Sequence, residues 1–398
     1  MMDRHLTLVL ICLFAIRSAS AMGNAMDWHE PWRLPASRVP AEGGSATLIS
    51  DEYAWRLFVA LNWPADVTRR TADPRAVLGA PGPVTWETWQ NAADVYLEHG
   101  KDPGPWALGQ QAPGAAYETR FETASLNELK KTRHIVAGVM VPLADPLAQV
   151  QRLIEVRMNR ISFDYVRSHE LYNVEGQLHA VASGRAVTFP YGALQIKASW
   201  RPIAERDRSR YHTITVQFAN GTARLYGLTA LNIAAKEMPN WLWASFEHVD
   251  NATRENGEGW QLPSRDSFAC RNESDCNRAP SGVGLEGTVW ENYRLRGTLT
   301  SFVDANLRPR LLANSELEAG LQMSASCITC HSRASIGLID GHPARLPVFV
   351  PTSADGRTVR RGYVGLPRSE TGFKSLDFVW SLSQAKSRTA DANSGDSP

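Results

Sequence analysis

Cys327, Cys330 and His331 bring two thiols and an imidazole together within the stretch SASCITCHSR. On a helix, residues at i, i+3 and i+4 share one face, so both thiols can reach two vinyl groups along one porphyrin edge. The imidazole that follows can turn under the macrocycle and bind the iron, which is why c-type haem attachment uses Cys-x-x-Cys-His. Two other chemistries use such thiols. A structural zinc site needs four protein ligands, so a second pair would have to come from elsewhere in the chain. A thioredoxin-like dithiol follows a strand in a βαβ unit, whereas ANSELEAGLQM before this motif is polar and helical, with Asn314 or Ser315 as a cap. The expectation is one covalent haem c, held by Cys327 and Cys330, with His331 as proximal iron ligand.

The remaining cysteines sharpen this reading. Cys12 lies in the apolar run LTLVLICLFAI, too short to span a membrane, and small residues at Ala19-Ser20-Ala21 follow it as a cleavage site would require. Residues 1–21 thus read as a cleavable signal peptide and imply a periplasmic protein without a membrane span in the mature chain. Losing Arg4, Arg17 and Asp3 takes the formal charge from +1 to about zero, so nothing steers the chain to nucleic acid. Cys270 and Cys276 flank the polar stretch RNESD and are expected to form a local disulfide in an oxidising compartment.

No methionine follows Met323, so a distal haem ligand of the usual kind is missing downstream of the motif. His342 is the nearest nitrogen donor; Met238, His248, His212 and Met140 are more distant candidates. Met238 and His248 are favoured because KEMPNWLWASFEHVDN joins a turn to a strand, and side chains project into clefts from such places. If the iron acts on a small molecule, His248 and His212 are the candidate acid–base residues.

The elements that must carry these groups read as an α+β fold. Residues 22–135 form a Trp- and Pro-rich helical part. Here AWRLFVALNWP places Trp55, Leu57, Phe58 and Leu61 at helical spacing, and TWETWQNAADVYLEHG reads as a second helix. Ser125 and Glu128 read as a capping box. Residues 136–284 are β-rich, an antiparallel and sandwich-like region containing LIEVRMNRISFDYV, LQIKASWRPI, YHTITVQF and WLWASFEHV. Residues 285–382 form a helical haem segment, and 383–398 a disordered tail. GVGLEG at 282–287 follows no strand and is not read as a dinucleotide site.

AWRLFVALNWP, LYGLTALNIAAKEMPNWLWASFEHVDN and LANSELEAGLQMSASCITCHSRASI resemble the anchor segments of a family of exported bacterial cytochrome c proteins. The resemblance implies a periplasmic protein with a single haem, attached C-terminal to a large non-cytochrome region, through Cys327, Cys330 and His331. It implies no substrate. The chain is far longer than an electron carrier needs to bury a haem edge. The expected function is electron transfer with a periplasmic redox partner protein or a small-molecule donor or acceptor. The alternatives are a haem oxidoreductase acting on a small molecule or peroxide, and a haem-based sensor or binding protein without turnover.

Overall fold

The computed structural model describes residues 28–35, 46–106, 116–117, 135–136, 139–140, 152–218, 220–252, 263–318, 325–346 and 372–388. The expected signal peptide, the Ser125–Glu128 box, Met140's side chain and the tail beyond 388 lie outside them.

A large antiparallel sheet organises the molecule. Its principal strands are β1 (Gln90–Asn91), β2 (Leu153–Met158), β3 (Leu194–Pro202), β4 (Thr213–Gln217), β5 (Ala223–Ala235), β6 (Leu242–His248) and β7 (Tyr293–Leu299). Across the sheet they run β7-β6-β5-β3-β2-β1, and β4 pairs with the first residues of β5. Alternation along each strand sends successive side chains to opposite faces. Ile196, Ala198 and Trp200 of β3, Leu231, Ile233 and Ala235 of β5, and Leu242, Ala244 and Phe246 of β6 build one core. Helix α1 (Ala46–Leu61) covers that face, with Phe58 stacked on Phe246 at a ring separation of 4.4 Å and Trp55 edge-on to it at 5.0 Å. Both side chains are fully buried, and Phe58→Ala would cost about 3–5 kcal/mol. Pro64 stops the helix from continuing.

Among the described residues the opposite face is covered mainly by helices and loops rather than by a second large sheet, unlike the sandwich-like arrangement expected from the sequence. Rows of side chains cross it from strand to strand. Met158, Gln195, Ala234, Trp243 and Leu299 form one row, Val156, Lys197, Asn232 and Ser245 the next, and Ser199, Ala230, Glu247 and Arg294 a third. Over them lie α2 (Arg160–Ser168), α3 (Val174–Ala182), the five-residue α4 (Cys327–His331) and the C-terminal segment. A small sheet of β8 (Ser335–Ile339), β9 (His342–Ala344) and β10 (Lys374–Ser375) follows α4.

Five sequence expectations change. LIEVRMNRISFDYV does not run on as a strand. Asn159 ends β2, its Oδ1 accepts the N–H groups of Ser162 at 3.0 Å and Leu194 at 3.1 Å, and α2 begins there. TWETWQNAADVYLEHG is not one helix but 3-10 turns at Thr85–Thr88 and Ala92–Asp94 around β1. Pairing of Gln90 and Asn91 with β2 outweighs local helix propensity there. Among the described residues the C-terminal haem segment is not broadly helical: residues 315–318 make one turn, and Cys327–His331 of α4 is the α-helix described there. β7, grouped by sequence with the haem segment, is a strand of the central sheet. Residues 383–388 are held rather than loose, since Lys386 O accepts Val174 N–H at 3.1 Å and Glu175 accepts Arg388 N–H at 3.0 Å.

Candidate functional site: a cleft around Cys327, Cys330 and His331

The loop that delivers α4 is bolted to β6 from beneath. Glu247 lies fully buried in the third row, accepting from Arg294 Nη2 at 2.6 Å on one oxygen and from Ser315 Oγ at 2.6 Å on the other. Burial alone would raise its carboxyl, but the guanidiniums of Arg296 and Arg294 hold it below the ordinary carboxylate range. Asn314 Nδ2 donates to Phe246 O at 2.9 Å and to Ser245 Oγ at 3.1 Å, and its Oδ1 accepts Glu316 N–H at 2.9 Å. Leu312 then exchanges backbone hydrogen bonds with Ala325 and Cys327. Ile328 turns into the core with no exposure, which leaves Cys327, Cys330 and His331 on the outward face of the helix.

That face lines a cleft of about 1300 Å³ including its mouth, whose floor is the first two rows of the sheet. Gln195, Lys197, Asn232, Ala234 and Trp243 supply the floor, and Leu317, Glu318, Phe378 and Trp380 the walls. The His331 ring lies 4.4 Å from that of Trp243, and its Nδ1 is 2.8 Å from Phe378 O. A carbonyl can only accept, so Nδ1 carries the proton and Nε2 keeps its lone pair. Loss of solvent lowers the imidazolium pKa to about 4, the Phe378 carbonyl working the other way, and the ring is neutral near pH 7. Burial raises the Cys330 thiol to about 11 and pushes Cys327 up as well, so neither is an activated thiolate of the redox-dithiol kind.

The carbonyl comes from an unusual turn. Asp377 and Phe378 both adopt left-handed backbone, with φ of 52° and 67°. Such conformations cost roughly 1–2 kcal/mol per non-glycine residue and persist where surroundings enforce them. The enforcement is visible: buried Asp377 pairs with Lys236 Nζ at 2.7 Å and accepts Phe189 N–H at 2.7 Å. Trp241, at the entrance to β6, is likewise left-handed, with φ of 60°.

Cys270 and Cys276 form a disulfide. That removes the second pair a zinc site with Cys327 and Cys330 would have needed. No family model, curated protein or solved structure matches this chain. The donor set must therefore be judged by its own chemistry, and it fits a c-type haem. Two unpaired thiols and a neutral imidazole with a free Nε2 lie on one cleft, and the apolar surfaces of Trp243, Phe378 and Leu317 flank them.

The other candidate ligands are elsewhere. His248 shares strand parity with Phe246 and so faces the α1 side, five residues and about 17 Å along β6 from Trp243. It is fully buried, stacked on Tyr211 at 3.7 Å, with Nε2 bound to Arg210 O at 3.0 Å. His212 Nε2 pairs with Glu87 at 2.8 Å, packed against Trp290 and Trp200. Met238 packs into the α1-side core and His342 is exposed on β9. None of the four lines the cleft. Residues that do line it, Lys197, Trp243, Glu318 and Phe378, escaped the sequence reading. The one available signal was period-two alternation, which sets Lys197 opposite the apolar positions Ile196 and Ala198.

Among the described residues, no helix is long and apolar enough to cross a membrane.

Proposed function

We propose that this chain is a periplasmic c-type haem protein that takes part in electron transfer. The observation that carries the reading is the convergence of Cys327, Cys330 and a tautomer-fixed His331 on one cleft. Cys327 and Cys330 would hold the cofactor by thioether bonds, and His331 would bind its iron through Nε2. Haem supplies reversible one-electron exchange between ferric and ferrous iron. The chain's part is to orient the imidazole through Phe378 O, keep it neutral, and surround the cofactor edge with Trp243, Phe378 and Trp380.

A haem oxidoreductase is the second reading. It is favoured by the cleft's own composition: among its described lining residues no second histidine and no methionine faces the motif. Such a distal side leaves room for a small molecule.

The test is expression in a host with haem-attachment machinery. Denaturing gels stained for haem should show a band that Cys327→Ser/Cys330→Ser abolishes, and alkaline pyridine should give a c-type spectrum. A colourless or zinc-loaded protein sinks the reading. Rapid binding of carbon monoxide by the ferrous form would move the assignment from carrier to oxidoreductase.

A further inference from the structure

One charged side chain in the cleft is not accounted for by the motif. Lys197 stands on β3 with its side chain on the cleft floor, directly across from Asn232 on β5. The half-buried Lys197 lines the same cleft as Glu318, Cys327, Cys330 and His331. Lysines in partly apolar clefts ordinarily find a counter-charge, because desolvating an unpaired ion is costly. Lys236, the neighbouring lysine, does so with Asp377 at 2.7 Å.

Glu318 is the obvious partner for Lys197, yet it is engaged otherwise. Its Oε1 accepts from Asn232 Nδ2 at 3.2 Å and its Oε2 from Asn314 N–H at 2.8 Å. Burial raises its carboxyl above the ordinary value, with Lys197 only partly opposing, so the group is drawn toward its neutral form. No hydrogen bond or ion pair joins Lys197 to another described residue.

We propose that Lys197 is an anion-binding station of this cleft, taking a carboxylate or a small inorganic anion, with Asn232 and Glu318 as the polar wall behind it. This rests on the haem reading above. The anion has two possible sources of the same chemistry: a propionate of the haem itself, or a free anion entering beside the cofactor. Either is held by a charge-assisted hydrogen bond from Nζ.

The experiment compares ferric holoprotein with its Lys197→Gln and Lys197→Arg variants, using azide as the probe in a Soret titration and resonance Raman for the propionate bending bands. A free-anion station gives azide affinity at least tenfold weaker in Lys197→Gln, largely restored in Lys197→Arg, with propionate bands unchanged. A propionate station gives shifted bending bands with azide affinity unchanged. Azide affinity and bending bands both unchanged, in variants that fold and keep haem, overturn the proposal alone. So does a low-spin to high-spin change in Lys197→Gln before azide is added, which would make Lys197 an iron ligand. A wild-type protein that carries no covalent haem overturns the cofactor reading and this proposal together.

Discussion

Asp51→Asn should flatten the pH dependence of stability between pH 4 and pH 7. Asp51 has no solvent exposure; Ser267 N–H and Oγ donate to one oxygen at 2.8 and 2.6 Å, and Thr298 Oγ1 to the other at 2.7 Å. Burial raises its pKa from the ordinary 3.8 to about 6, against the pull of those donors, and the nearby Asp266 carboxylate adds to the rise. Arg310, which donates to Thr298 O at 3.2 Å, is the cation within reach. A folded-state pKa above the unfolded one means the native state holds its proton more tightly. The stability this contributes is complete below about pH 4 and is lost as pH rises through about 6. The full difference is worth about 3 kcal/mol, of which roughly 2.5 kcal/mol falls between pH 4 and pH 7. In the asparagine variant Oδ1 can still accept from Ser267, and Nδ2 can donate to a rotated Thr298 hydroxyl. Urea unfolding of both proteins at each pH, with the Cys270–Cys276 disulfide intact, gives the comparison. The variant should gain on the parent by about 2–3 kcal/mol from pH 4 to pH 7. Parallel curves would refute the assignment of a proton to Asp51.

Other substitutions probe the supports of the cleft. Glu247→Gln leaves Arg294 and Arg296 buried without their shared carboxylate and should cost about 3–5 kcal/mol in denaturant unfolding; a loss under 1 kcal/mol would show that the bolt is unimportant. Replacing Cys270 and Cys276 together by serine removes a short loop closure, so stability should fall by about 2 kcal/mol while the haem spectrum is unchanged. Lys236→Met strands Asp377 and should loosen the Phe378 turn. Its readout is the ferric near-infrared and Soret spectrum, which should broaden as His331 loses its fixed orientation; an unaltered spectrum in a folded variant would separate the turn from the imidazole.

What could be read from the chain alone was local. Cys327, Cys330 and His331 stand out by adjacency, and the strands β3, β5 and β6 by β-branched and aromatic alternation. The short range of these signals also explains the errors. Ile161, Phe163, Tyr165 and Val166 favour a strand by residue type, but Asn159 caps a helix there, and a cap is one residue against many. His248 reads as a distal-ligand candidate because it ends the strand, running on from Trp243, that follows a turn. Strand parity, which sends alternate residues to opposite faces, puts the sheet between them. The cleft floor draws Lys197, Asn232 and Trp243 from three strands whose register depends on tertiary pairing, and no motif encodes that.

The carbonyl that orients His331 belongs to Phe378, 47 positions later in the chain. This separation imposes a sequence of events during maturation. In synthesis from the N-terminus the motif exists before its partner turn does, with the imidazole free to rotate and both thiols open. Once the left-handed Asp377–Phe378 turn has locked against Lys236, the thiols lie against Leu312 and the sheet, and that access narrows. On the haem reading proposed above, attachment would precede closure of the C-terminal segment, and the end of the chain would then act as a latch over the cofactor.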